Sequence, residues 1–140
     1  MSGKFNAARA AFGEGTLSWT RDRIVAQLVS AAYKFNEQHA VAASLTGKVG
    51  AAVELTGKSV TGKGWLRAAN LAFPRVKGET VVAIALHRAP AAGSAQQATL
   101  IVFLDDIHAD PKDPSSMAFP MVPNGGDILV SVPEQGIFRI

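Results

Sequence analysis

The sequence predicts an all-β fold: an antiparallel β-sandwich or barrel, jelly-roll-like, with a short N-terminal helix, in one domain over residues 1–140. Three observations predict it. Thr80 to His87 and Thr99 to Leu104 are apolar at successive positions, as strands covered on both faces are. The last eighteen residues read as turn, strand, turn and strand. The apolar runs are joined by loops rather than by alternating helices, which argues against a parallel βαβ arrangement.

The elements follow in chain order. Residues 3–12 are alanine-rich and predict a short helix ended by Gly13 and Gly15, with Phe5, Ala8 and Phe12 as its docking stripe. A helix this short is marginal alone, so residues 1–15 are expected to form a docking segment. Residues 23–30 fit either a strand, through Ile24, Ala26 and Leu28, or a helix, through Ile24, Leu28 and Ala32. Tyr33 to Asn36 read as a loop and Glu37 to Leu45 as a helical turn. The Thr-Gly-Lys echoes at 46–48, 56–58 and 61–63 mark turns between short strands around 50–56 and 58–61. Residues 65–73 follow as a strand broken at Pro74. In the two clear strands, alternation puts Val82, Ile84 and Leu86 opposite Val81, Ala83 and Ala85, and Leu100, Val102 and Leu104 opposite Ile101 and Phe103. Pro90 to Ala98 and residues 105–117 are loops.

The ending carries the strongest turn chemistry. Pro123, Asn124, Gly125 and Gly126 supply a tight turn with φ > 0, and Gly136 closes a second turn that begins at Pro133. Ile128, Val130 and Val132 share one face between them. Together they predict a terminal hairpin, with Ile140 paired in a sheet.

Composition sets the limits. The chain is 48% hydrophobic and 18% charged, a globular balance. It has no cysteine, which excludes disulfides, thiolate metal sites and a thiol nucleophile. No apolar run approaches membrane-spanning length, and Met1 to Lys4 lacks the start of a signal peptide, so synthesis in a cytoplasm is expected, with no membrane partner. Residues 1–88 hold twelve Lys/Arg against five Asp/Glu, a net +7, whereas residues 89–140 hold two against six, a net −4. That asymmetry fits head-to-tail association or a charged partner. The lysines are dispersed without interleaved aromatics, so no specific nucleic-acid partner is expected.

Residues able to carry chemistry are sparse. Gly57-Lys58-Ser59 matches the end of a phosphate loop, but Ala52 stands where its first glycine belongs, so a turn is the better reading. Asp105, Asp106, His108, Asp110 and Asp113 are the densest set of hard-cation ligands, without the spacing of a known calcium loop; a solvated acidic loop is the simpler account. His39 and His87 stand apart, His87 at a strand end. Ser18, Ser30 and Ser44 lack a nucleophile-elbow context. Neither a metal nor another cofactor is expected, nor an enzymatic activity. Trp19 and Trp65 are core or interface anchors.

Several phrases in order resemble a family of small tailed-bacteriophage virion proteins. They are Phe5 to Trp19, Ile24 to Val29, Leu55-Thr56-Gly57-Lys58-Ser59-Val60-Thr61, Thr80 to Leu86, Leu100 to Asp105, and the ending Val122 to Val130 with Gly136-Ile137-Phe138-Arg139-Ile140. The chain departs from that pattern in residues 106–119, which are longer, and in residues 62–70, which are less acidic. The resemblance implies a non-enzymatic virion component: a capsid decoration or cement protein, present in many copies or as a homo-oligomer and bound to the major capsid protein. Phe5, Phe12, Trp19 and Trp65 are then the candidate partner contacts. A neck, tail or baseplate component is the alternative within that class, and a glycan- or cation-binding β-sandwich module the alternative outside it.

Overall fold

A computed structural model describes residues 3–90, 97–106, 119–133 and 136–139. Its main sheet has five antiparallel strands in the order β1-β8-β7-β2-β3: β1 is Gly3–Lys4, β2 Ile24–Ser30, β3 Lys48–Glu54, β7 Val81–Arg88 and β8 Leu100–Leu104. A three-stranded sheet has the order β10-β5-β4, with β4 at Ser59–Val60, β5 at Trp65–Arg67 and β10 at Phe138–Arg139. A two-stranded sheet pairs β6, Leu71–Phe73, with β9, Ile128–Val130. All pairings are antiparallel, and one short helix, α1 (Asn6–Glu14), precedes β2, so the expected all-β class with an N-terminal helix holds. The ambiguous segment 23–30 is strand β2, buried at every position.

Burial on both faces of β7 and β8, predicted from their composition, is observed. One face of the main sheet presents Ala26, Leu28, Ile84, Leu86, Val102 and Leu104 to the two smaller sheets, which contribute Leu66, Phe138, Leu71, Phe73, Ile128 and Val130. The other face, through Val29, Ala83, Ala85, Leu100 and Phe103, is covered by Tyr33, Phe35 and Leu45 from the segment between β2 and β3. Within that segment the helical turn expected over 37–45 shrinks to a 3-10 turn at Ala42–Ser44.

Strict alternation fails at two bulges. Val29 pairs with Ala83 but Ser30 with Val81, so Val82 is an extra residue, and Val81 joins Ile84 and Leu86 on the face towards the small sheets. Leu86 pairs with Val102 but His87 with Leu100, so Ile101 is extra, and Leu100 turns to the same face as Phe103. One inserted residue reverses the side of everything beyond it, which is why Val81, Val82, Leu100 and Ile101 lie opposite to the expected sides. A larger irregularity sits in edge strand β3, between the pairs Ala26–Val53 and Leu28–Val49. There the buried Gln27 amide donates from Nε2 to the carbonyls of Leu28, Val49 and Gly50 at 3.0, 3.2 and 3.2 Å. The distorted backbone is thereby satisfied, and the sheet edge is blunted.

The N-terminal segment docks onto its own sheet. Gly3 and Lys4 are strand rather than helix, paired with Phe103 and Val102. Phe5 keeps an extended backbone at the head of α1 and its N–H donates to the Ile101 carbonyl at 3.1 Å, which holds the first turn beyond it. Gly13 lies inside the helix; Gly15, left-handed at φ 76°, ends it.

The terminal hairpin is not formed. β9 pairs with β6 and β10 with β5, so the last two strands lie in different sheets. The predicted single strand over 65–73 likewise divides into β5 and β6. The two crossings are tied together: the Val132 N–H donates to Asn70 Oδ1 at 2.8 Å, and the Ile137 N–H to the Leu66 carbonyl at 2.7 Å. The Asn70 side chain and the Leu66 carbonyl of β5 thus take the amides that a hairpin would have paired. The Pro-Asn-Gly-Gly-Asp turn instead docks on the turn after β6: Val76 exchanges bonds with Gly125 and Gly126, and the Arg75 N–H donates to Asp127 Oδ1 at 3.0 Å. Gly125 has φ 85°, and the Gly126 N–H donates to Asn124 Oδ1 at 2.9 Å. The expected pairing of Ile140 lies outside the described residues.

Gly136 combines φ 140° with a tight seat: a Cβ there would lie 2.9 Å from the Leu66 carbonyl oxygen and 3.0 Å from Trp65 Cβ. Gly136→Ala is expected to destabilise the fold by about 2–4 kcal/mol in urea unfolding. Gly13→Ala, in a helix with nothing within 4 Å of the added methyl, is expected to be neutral or stabilising by up to about 1 kcal/mol. Equal effects at the two positions would contradict this account of the ending.

Candidate interaction surface

The four expected contact residues separate into two pairs. Phe5 is wholly buried, edge-on to the Phe35 ring at 5.1 Å, at the junction of β1 and α1. Trp19 is buried too: its ring meets Phe138 edge-on at 5.6 Å, and its Nε1–H donates to the Arg67 carbonyl at 2.9 Å. Both hold the fold together and present no surface to a partner. Phe12 is half-buried on the exposed flank of α1, over Ala8 and Phe138. Trp65 is half-buried on β5, and of the four it alone forms a wall of the larger groove.

Alternation along β5 explains that placement. Leu66 points into the core and its neighbours Trp65 and Arg67 point out. Arg139 lies directly across from Trp65, and Ser59 across from Arg67, so these four share the outward face of the three-stranded sheet. Beside it runs a groove of about 220 Å³ between the edge strands β1 and β10, walled by Trp65, Lys4, Arg139 and Asp106 over a floor that includes Val102 and Leu104. The Lys4 ammonium reaches across it to donate to the Arg139 carbonyl at 2.7 Å. Sequence reasoning named Trp65 but missed Arg67, Arg139 and Lys4. The Trp-Leu-Arg alternation was the available signal for Arg67; the pairing that brings Arg139 alongside was not, because a hairpin was expected there.

A buried cation was missed as well. Arg88, at the end of β7, is 6% exposed. Its guanidinium donates to the Thr16 carbonyl at 2.7 Å, the Gln97 carbonyl at 3.0 Å, Thr99 Oγ1 at 3.2 Å and Asp22 Oδ2 at 3.3 Å. Asp22 also accepts from the Ser18 N–H at 2.9 Å. The cluster staples the exit of α1, the turn before β2 and the start of β8 onto one strand end. Truncating a buried partner of such an ion pair typically costs about 3–5 kcal/mol.

The other candidate chemistries resolve into turns and structure. Gly57, at φ 61°, shapes a turn into β4 rather than into a helix, and Lys58 donates to the Asp22 carbonyl. Burial pushes the Lys58 ammonium below its ordinary pKa, with Glu54 and Asp22 pulling the other way. Lys58 is therefore held against the protein rather than solvated in an open turn. The buried Ser30 hydroxyl accepts from the Ala32 N–H at 3.3 Å, and Ser18 Oγ from the Arg21 N–H at 3.2 Å. Ser44 lies in the 3-10 turn. Tyr33 Oη and His39 Nδ1 share a hydrogen bond of 2.8 Å at the edge of the second core. No group of three or more metal-binding side chains occurs among the described residues. His108, Asp110 and Asp113 lie outside them. Among the described residues no helix is long and apolar enough to cross a membrane. No family model matches the chain, and no curated protein matches it significantly.

His87 is half-buried, with its Nδ1–H donating to the Arg88 carbonyl at 3.1 Å. Burial pushes its pKa below the ordinary histidine value; the carbonyl partly offsets this, and Lys48 adds to the depression. Above the ordinary value both folded and unfolded chains hold a neutral ring, and the contribution to stability is complete. As pH falls below it, the unfolded chain binds the proton first and stability is lost towards the depressed native value. Wild type is therefore expected to lose stability relative to His87→Gln as pH falls from about 7.5 through the ordinary histidine value of about 6.5. Parallel urea-unfolding curves for the two proteins across that window would contradict the assignment.

Proposed function

We propose that the chain is a non-enzymatic structural subunit of a tailed-bacteriophage particle: a capsid decoration or cement protein that binds the major capsid protein shell. The observation that carries this reading is the ordered set of phrases that resemble that family, from Phe5 to the Gly136–Ile140 ending. Within the described residues those phrases fall on positions with a structural task. Phe5 seats the helix, Ile24 to Val29 lies in an interior strand of the main sheet, Gly125 shapes the docked turn and Gly136 passes under Leu66. A small antiparallel body with an outward aromatic and basic face suits a protein that repeats one modest contact over many equivalent sites, because repetition supplies the avidity.

The experiment is a count of copies in purified particles by quantitative mass spectrometry, with localisation by electron cryomicroscopy. A decoration protein is expected in copies on the order of hundreds, following the symmetry of the shell. A copy number matching the few-fold symmetry of a neck or baseplate would move the chain to the tail end of the particle. Its absence from particles would reject the virion reading.

A further inference from the structure

We propose that the outward face of the β10-β5-β4 sheet docks an acidic protein surface, with Trp65 as its anchor and Arg67 and Arg139 as its charged flanks. The proposal rests on the shell-binding reading and names the chemistry of the surface that the shell must offer.

The placement follows from register. Arg139 is directly opposite Trp65, and Arg67 is two residues further along the same strand, on the same face. Directly opposed residues on a sheet have Cβ atoms about 5 Å apart, and alternate residues on one strand lie about 7 Å apart. Trp65 is thus flanked on this face by two exposed arginines, one on each strand of the β5–β10 pair. Lys4, bonded to the Arg139 carbonyl at 2.7 Å, adds a third cation at the rim, and Lys63 a fourth in the turn between β4 and β5. Residues 59–67 and 136–139 contain no Asp or Glu. Among the described residues, the acidic side chain that lines the groove beside this face is Asp106, across from Trp65.

Charge and residue type together select the partner. Guanidinium forks pair with carboxylates in two parallel hydrogen bonds, so two of them around an aromatic anchor suit a cluster of Asp and Glu. Tryptophan and arginine are the residues that dominate the binding energy of protein–protein interfaces. Nucleic acid is a poorer match: its binding proteins commonly neutralise about six to ten phosphates and stack successive bases on several aromatics. Here a single tryptophan lies among four cations.

The test uses the full chain and particles of its own phage assembled without it. Four proteins are compared: wild type, Arg67→Glu, the double reversal R67E/R139E, and a control reversal of equal charge, K34E/K48E, at exposed positions off this face. Thermal unfolding first confirms that each is folded; the single variant replaces the double if the double is not. Wild type is expected to bind, and to weaken about tenfold or more between low and high salt. R67E/R139E is expected to bind at least about thirtyfold more weakly, and the control within about threefold of wild type. A folded R67E/R139E that binds like wild type overturns this face as the docking site and leaves the shell-binding reading in place. An equal loss in the control also overturns it, since net charge would then suffice. Wild type that fails to bind any particle overturns the shell-binding reading and this inference with it. Tighter binding to a short DNA duplex than to particles overturns a protein as the partner.

Discussion

The constraint on which the structure depends is the two-sided burial of its central strands. Every residue of β2 and β8 is buried, and β7 between them carries Ala83, Ile84, Ala85 and Leu86 at 0% exposure. A sheet that is apolar on both faces needs two covers, each worth roughly 25 cal/mol for every Å² of apolar surface taken from water. One cover is the pair of small sheets. The other is the loop that carries Tyr33, Phe35 and Leu45, with Phe5 added from the head of the helix. The alanines of β7 explain how a mere loop can serve. With side chains this small on that face, Tyr33 and Phe35 can approach the sheet closely, their ring centroids 5.9 and 5.3 Å from that of Phe103 in β8.

The same constraint explains the bulges and the crossings. The bulges at Val82 and Ile101 re-aim side chains at the ends of β7 and β8, so that both covers receive apolar residues as the sheet twists. The cover made of small sheets is itself built from two chain segments, 59–73 and 128–139, each of which passes from one small sheet to the other. Asn70, Gly136 and the Leu66 carbonyl hold those passages together. The glycines and the asparagine that make the C-terminal phrases conspicuous therefore serve a corner of the sandwich. They leave the outward face of β5 and β10 to Trp65, Arg67 and Arg139.

Much of this was legible in the residues. Two strands apolar at every position announced a sheet covered on both sides, and the Pro-Asn-Gly-Gly-Asp turn stands where expected. What could not be read was whatever depends on pairing across long separations. Ile128, Val130 and Val132 lie on one face as the alternation indicates, yet alternation does not say that β6 rather than β10 lies alongside. Bulges are equally silent: Leu100 and Ile101 are both apolar, so either can face either way. Gly3 and Lys4 look like the start of a helix until Phe103 and Val102 are seen to pair with them. Arg88 follows the apolar run 81–86 and His87 as any strand-end cation could, and its burial comes from segments that close over it from residues 16, 22, 97 and 99. Of the surface, Trp65 was visible as an aromatic in a glycine-flanked stretch. Its cationic neighbours required the third dimension.

Native-state hydrogen exchange tests most directly the claim that β7 and its two neighbours form the stable centre to which everything else is fastened. The amides of β2, β7 and β8 that are bonded within the sheet are predicted to exchange only through global unfolding, with a common free energy equal to that from urea denaturation. Those of β4 and β10 are predicted to exchange through smaller openings. Amides of β7 that exchange as readily as those of β4 or β10 would contradict the account, because the doubly covered sheet would then not be what the rest of the molecule depends on.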